Sequence, residues 1–214
     1  DFETLITLRH LTNHTSGLLR EPPVGNYFET SAPSLEDTVL SLNGTRLIFD
    51  PGSRTKYSNA GLSVVGRVLE VLPVRPYPEV MADLVLRPMG LAGSATLERN
   101  ATVIPSLAKG RMWTYDGRSF DAPTFELGMA PAGSLYASVL DLAKFMRGLF
   151  GHLPQRQVEI LQTSSLETML TPVKASDGSR LPFGIGFHVG ELDGHRRCGH
   201  NGALYGFSTE LAYL

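Results

Sequence analysis

The sequence predicts an α+β fold in which an antiparallel sheet is flanked by helices. Three observations predict it. Apolar residues recur at helical spacing in several segments of the first 180 or so residues, the period changes to two after Pro182, and Asp193-Gly194, a pair suited to a type I′ turn, joins two late strands. Helical segments followed by an antiparallel meander are the order of an α+β domain. One domain is expected over 1–214, with about 1–180 mainly helix and loop and about 181–214 supplying strands of the central sheet.

The chain opens directly on an ordered-looking stretch, TLITLRHL, and closes inside FSTELAYL, which alternates as a strand does, so the domain is expected to be incomplete at both ends. From 60 to 72 the strongly polar positions are Ser63, Arg67 and Glu70, one narrow wet stripe on an otherwise apolar helix that is expected to be buried and to stop at Pro73. The next helix carries Pro78 and Glu79 in its first turn, sets Val80, Met81, Leu84 and Val85 on one side, and ends before Pro88. Residues 94–134, rich in Gly, Pro and Thr, read as loop with short strands. A third helix begins near Ser138, where Ser138 and Asp141 form a capping box and Leu142, Phe145, Met146 and Leu149 a core stripe. A weaker fourth covers about 158–170. After Pro182, Phe183, Ile185, Phe187 and Val189 are expected on one face of a strand, with Gly184, Gly186, His188 and Gly190 on a nearly bare opposite face. Residues 207–214 supply another strand.

Composition narrows the function. At 42% hydrophobic and 19% charged residues the chain has the balance of a globular domain, and its net charge of -2 without any Lys/Arg run excludes nucleic acid as a favoured partner. No apolar run reaches the roughly 20 residues of a membrane span. One cysteine, Cys198, excludes an internal disulfide, and the six histidines show no metal-ligand spacing, so neither metal nor cofactor is expected. Cys198 reads as a small buried hydrophobe and His188 and His195 as surface or packing residues.

Several separated stretches resemble, in the right order, the class C β-lactamase and penicillin-binding esterase family: ITLRHLTNHTSGL at 6–18, PGSRTKYSNAGLSVVGRVLE at 51–70, LRPMGL at 86–91, DLAKF at 141–145 and GHNGALYGFSTELAY at 199–213. The resemblance implies a β-lactamase/transpeptidase-like fold and a serine hydrolase working through an acyl-enzyme on a β-lactam, a D-Ala-D-Ala-type peptide or a small ester. Tyr57-Ser58-Asn59 looks like the family's Tyr-x-Asn element, which makes Tyr57 a proton shuttle and Asn59 a substrate-binding amide. A phenol can take a hydroxyl's proton only where its own acidity is raised locally. His200-Asn201-Gly202 looks like the family's third element, commonly Lys-Thr-Gly, with His200 catalytic and Gly202 letting substrate approach the strand. Histidine in place of lysine makes the charge depend on pH and opens the substrate range to esters and peptides. Ala203 falls where the family's strand gives a backbone N–H to the oxyanion hole.

Read without that resemblance, Tyr57 packs at a loop, Asn59 caps the helix from Ala60, and His200 is a strand histidine bonded to a neighbouring carbonyl. The family's Ser-x-x-Lys motif is expected upstream of Asp1, so the 214 residues alone are expected to be inactive. Ser53-Arg54-Thr55-Lys56 and Ser106-Leu107-Ala108-Lys109 share its spacing but follow Pro51-Gly52 and Pro105, in loops, where Ser and Lys do not face each other. Ser16 lies in a stretch that matches a different family segment. The other class of function is a catalytically inactive binding or scaffold protein that keeps the shape. Small-molecule or peptide substrates are the expected partners, and the resemblance points to the cell envelope or the extracellular space.

Overall fold

The computed structural model describes residues 4–92, 95–101, 103–150, 160–175 and 177–214. Helices and sheet are both present, with a helical group packed beside an antiparallel sheet that carries its own two helices. The elements in chain order are α1 (Leu8–Thr12), α2 (Leu35–Leu40), α3 (Asn59–Val71), α4 (Tyr77–Met81), β1 (Arg111–Trp113), β2 (Ser119–Asp121), α5 (Val139–Phe150), α6 (Thr163–Met169), β3 (His188–Leu192), β4 (His195–Leu204) and β5 (Phe207–Tyr213).

Local chemistry explains most of the helix starts. Thr7 and His10 cap each other at α1, the Thr7 Oγ1 accepting the His10 N–H at 3.2 Å and the His10 Nδ1 accepting the Thr7 N–H at 3.3 Å. Ser34 accepts the Asp37 N–H at 3.0 Å to start α2, whose first turn carries Glu36 and Asp37 at the positive end of the helix dipole. The expected capping box at α5 is present, with Ser138 Oγ accepting from Asp141 N and Asp141 Oδ2 accepting from Ser138 N. Three residues of its expected stripe, Phe145, Met146 and Leu149, join Phe150, Leu166, Leu170, Phe187, Val189 and Cys198 in the core between α5, α6 and the sheet, and Leu142 is only partly buried.

The helix over 59–71 buries a different face from the one its hydropathy suggests. Ser63, assigned to the wet stripe, is fully buried and donates to the Asn59 carbonyl, while Val71 and Leu72 are exposed. Small residues Ala60, Gly61, Ser63 and Gly66 form the buried face because they let α1, α2 and the turn at Ala130–Ala132 approach closely. In the next helix, α4 widens into one π-helical turn, Ala82–Leu86. The added residue per turn rotates the face, so Val80 and Leu86 are buried and Leu84 is 60% exposed, against its expected place in the core.

The three-stranded sheet has the order β3–β4–β5, all antiparallel. Asp193 and Gly194 turn β3 into β4 with φ of 50° and 79°, both left-handed as a type I′ turn requires. The strand expected from Phe183 begins at His188 instead. Gly186 at φ 73° folds 183–187 back on itself, with the Gly184 N–H donating to the Phe187 carbonyl and the Val189 N–H to that of Pro182. Phe183 and Phe187 therefore part: Phe187 enters the core against Phe150, while Phe183 packs on His14. The bare backbone at Gly184 admits the end of α6, since a Cβ there would lie 2.0 Å from the Met169 carbonyl oxygen. The fourth expected helix is observed from Thr163; residues 158 and 159 lie outside the described residues.

Candidate active site

The segment after α1 builds the floor of the site. His14 C=O accepts the Lys56 N–H at 2.8 Å, and Arg20 C=O accepts the Asn59 and Ala60 N–H groups at 2.8 and 3.1 Å. These bonds hold residues 56–60 against residues 14–20 at the N-terminus of α3. Ser58 is the N-cap of that helix: its hydroxyl accepts the Gly61 N–H at 2.9 Å and donates to Leu19 O at 2.8 Å. Asn59, the alternative cap, is the first helical residue instead.

Tyr57 and His200, 143 residues apart in sequence, meet here. The Tyr57 hydroxyl lies 3.5 Å from His200 Nε2, with ring centroids 5.9 Å apart, and both side chains are half-buried. His200 Nδ1 lies 2.6 Å from the Asn201 carbonyl oxygen. A carbonyl only accepts, so this contact places a proton on Nδ1, and in the neutral ring Nε2 is then the bare acceptor facing the phenol. The strand-histidine reading and the tyrosine contact thus hold for the same ring, one at each nitrogen.

Burial pushes the Tyr57 phenol above its ordinary range, and Coulombic repulsion of its phenolate by Tyr27, were that ionised, and by the Glu21 carboxylate adds to this; the Arg20 guanidinium, 5.3 Å from the ring centroid, works against them. The local rise in acidity expected for a shuttling phenol is not what these surroundings produce. A bare imidazole nitrogen next to the hydroxyl is the feature that can relieve it of a proton.

Asn59 is buried and its amide nitrogen donates to both Glu21 carboxylate oxygens, at 2.9 and 3.1 Å, and to the Tyr27 hydroxyl at 3.1 Å. Glu21 also pairs with Arg20 at 3.0 Å, and Tyr205 in the β4–β5 turn donates its hydroxyl to Tyr27 O at 2.5 Å. This network fastens the end of β4 to the segment that carries Arg20 and Glu21.

Gly202 and Ala203 sit on β4 opposite Thr209 and Ser208 of β5. β3 pairs with β4 over 195–199, so, among the described residues, 200–204 have a strand neighbour on one side alone. Both hairpins close on two-residue loops, at Leu192–His195 and Leu204–Phe207. In such hairpins the flanking pair exchanges hydrogen bonds and the pattern then alternates, so even-numbered residues of β4 bond to β5 and odd-numbered ones turn to the other side. Asn201 and Ala203 therefore direct their backbone N–H groups away from β5, beyond the end of β3.

The sequence singled out Tyr57, Asn59, His200, Gly202 and Ala203, and the fold brings Tyr57 and His200 together with Asn59 two residues from the phenol. It missed His14, Arg20, Glu21, Tyr27, Phe183 and Tyr205. Asn13, His14, Thr15 and Ser16 form a run of four polar side chains each at most 2% exposed, a burial that no hydropathy pattern signals. Ser53 lies in a turn with its hydroxyl on Asp50 O, Ser106 ends the short turn Ile104–Ser106, and Ser16 is buried, so none occupies the start of a long helix. Cys198 is 1% exposed in the core, where burial raises its thiol pKa. A groove of about 460 Å³ lined by Arg180, Pro182, Val189, Glu191 and Arg196 lies on another part of the sheet. No helix among the described residues is long and apolar enough to cross a membrane.

Comparison with known proteins adds the relatives. A family model described as Beta-lactamase matches residues 2–214. The chain is 26% identical to Beta-lactamase-like protein 2 of Dictyostelium discoideum, covering 97% of this chain and 38% of that protein. It is 23% identical to a penicillin-binding protein of Bacillus subtilis, covering 96% of this chain and 48% of that one. The octameric penicillin-binding protein homologue from Pyrococcus abyssi superposes with a TM-score of 0.81 over 98% of this chain and 49% of its own, at 23% identity, a likeness of fold. The chain thus spans less than half the length of these relatives.

Proposed function

We propose, from the premise that this chain belongs to the β-lactamase family, that it forms the proton-transferring and substrate-holding part of a serine hydrolase. The enzyme acts through an acyl-enzyme on an amide or ester: a β-lactam, a D-Ala-D-Ala-type peptide or a small ester. One observation carries the reading, the approach of the Tyr57 hydroxyl to His200 Nε2 at 3.5 Å beside the part of β4 that extends past β3. In this reading the nucleophilic serine belongs to a part of the protein outside residues 1–214.

As the serine oxygen forms its bond to the substrate carbonyl carbon, its proton passes to the Tyr57 oxygen and the Tyr57 proton to His200 Nε2. The carbonyl π pair moves to oxygen, and the Ala203 N–H donates to that oxyanion. Collapse re-forms the carbonyl and breaks the bond to the leaving nitrogen or oxygen, which takes the proton back through Tyr57. Water then attacks the acyl-enzyme by the same route and frees the serine. Asn59 holds Glu21 and Tyr27 in place and orients substrate beside them, and Gly202 leaves the strand open to it.

A second reading, a catalytically inactive binding or scaffold protein, is favoured by the Glu21 carboxylate, which already takes up the Asn59 amide. Intact-mass measurement on the full-length protein separates the two. The enzyme gains the mass of a fluorescent penicillin or an acetyl group from 4-nitrophenyl acetate, and Tyr57→Phe slows that step on the order of 100-fold. An unchanged rate removes Tyr57 from the mechanism, and no adduct from either reagent favours the binding protein.

A further inference from the structure

We propose that His14 is a positioning residue for Tyr57, its carbonyl and its imidazole together clamping residues 56, 57 and 58; the inference rests on the reading of Tyr57 as the proton carrier. Three contacts make the clamp. The His14 carbonyl accepts the Lys56 N–H at 2.8 Å. Its ring lies against the Tyr57 ring with centroids 4.1 Å apart and planes tilted by 34°. Its Nδ1 accepts the Ser58 N–H at 3.2 Å. Phe183 meets the same imidazole almost at right angles, with centroids 4.8 Å apart, and lies 6.1 Å from the Tyr57 ring, so it packs beside the pair.

The backbone of His14 is bent to make this possible. Its φ is 61°, in the left-handed region that a residue with a Cβ enters at a cost, and such a conformation persists where surrounding contacts hold it. At 2% exposure the imidazole is buried, and an amide N–H donated to Nδ1 leaves Nε2 as the nitrogen that carries the proton. Burial first, and repulsion from His200 second, lower the His14 pKa to about 4, so the ring is neutral near pH 7. Histidine suits the place because it joins an acceptor near the backbone to a flat face. Phenylalanine offers only the face and asparagine only the acceptor.

A double-mutant cycle on turnover of 4-nitrophenyl acetate by the full-length protein tests the proposal. His14→Asn keeps an acceptor for Ser58 and deletes the ring. The expected result is a kcat lowered roughly tenfold or more with KM unchanged, and no further loss when the change is made in Tyr57→Phe. A His14→Asn rate equal to the parent's overturns the positioning role and leaves the Tyr57 reading intact. The same factor lost in the Tyr57→Phe background also overturns it, because His14 then acts independently. A Tyr57→Phe enzyme as fast as the parent removes Tyr57 from the mechanism and overturns the clamp with it. Should His14→Asn fail to fold, nitrogen NMR of the unaltered protein decides: a bare Nδ1 and a protonated Nε2 at pH 6 are expected, and a proton on Nδ1 contradicts the clamp.

Discussion

At the residue scale, a buried imidazole that resists protonation makes folding depend on pH. The His14 pKa falls from 6.5 to about 4 on folding, so the unfolded chain takes up a proton first as pH drops. The His14 contribution is whole above pH 6.5 and is lost as pH falls to about 4, a change of roughly 3 kcal/mol if the full shift is expressed. The groups that face it are His200, Tyr57 and Phe183, with the Ser58 amide at Nδ1. Urea unfolding of the full-length protein and of His14→Asn between pH 4 and 7 checks this. The parent is expected to lose stability relative to the variant as pH falls, and parallel curves contradict it. Tyr57 and His200 were legible in the sequence because each sits in a motif with a family resemblance. His14 stood inside one of the quoted stretches with no role attached, since its importance arises from three-dimensional contacts with 56–58 and Phe183.

At the element scale, the open side of β4 carries the oxyanion assignment. The alternation of hairpin hydrogen bonds turns the Ala203 N–H away from β5, so removing it leaves the β4–β5 ladder whole. Ala203→Pro is therefore expected to lower acylation on the order of 100-fold while shifting the melting temperature little. Normal acylation contradicts the oxyanion role, and a large loss of stability contradicts the orientation of that N–H. The helices starting near 60, 78 and 138 and the hairpin at Asp193-Gly194 were all legible, because caps, prolines and turn residues act locally. The buried face of α3 was not, since small residues count as weak hydrophobes although they permit the closest packing. Nor was the break at 183–187, where the left-handed Gly186 interrupts an alternation that otherwise reads as strand. The π-turn at Ala82–Leu86 displaced Leu84 from the core for a similar reason, a change of period within one helix.

At the scale of the whole molecule, the site is a product of topology. The segment from His14 to Glu21 is bonded to the start of α3, Tyr205 in the β4–β5 turn bonds to Tyr27, whose hydroxyl accepts from Asn59 in the first turn of α3, and β4 is thereby set with His200 beside Tyr57. Neither the helical group nor the sheet holds both rings, so the pair exists only when the two are packed together. The central claim is that phenol and imidazole act as one proton-handling unit. The measurement that bears on it most directly is acylation of the full-length protein by a fluorescent penicillin, compared across Tyr57→Phe, His200→Asn and the double variant. The expected result is that each single change slows acylation and the double is no slower than the worse single. Rates that fall by the product of the two factors, or that fall for neither, contradict it.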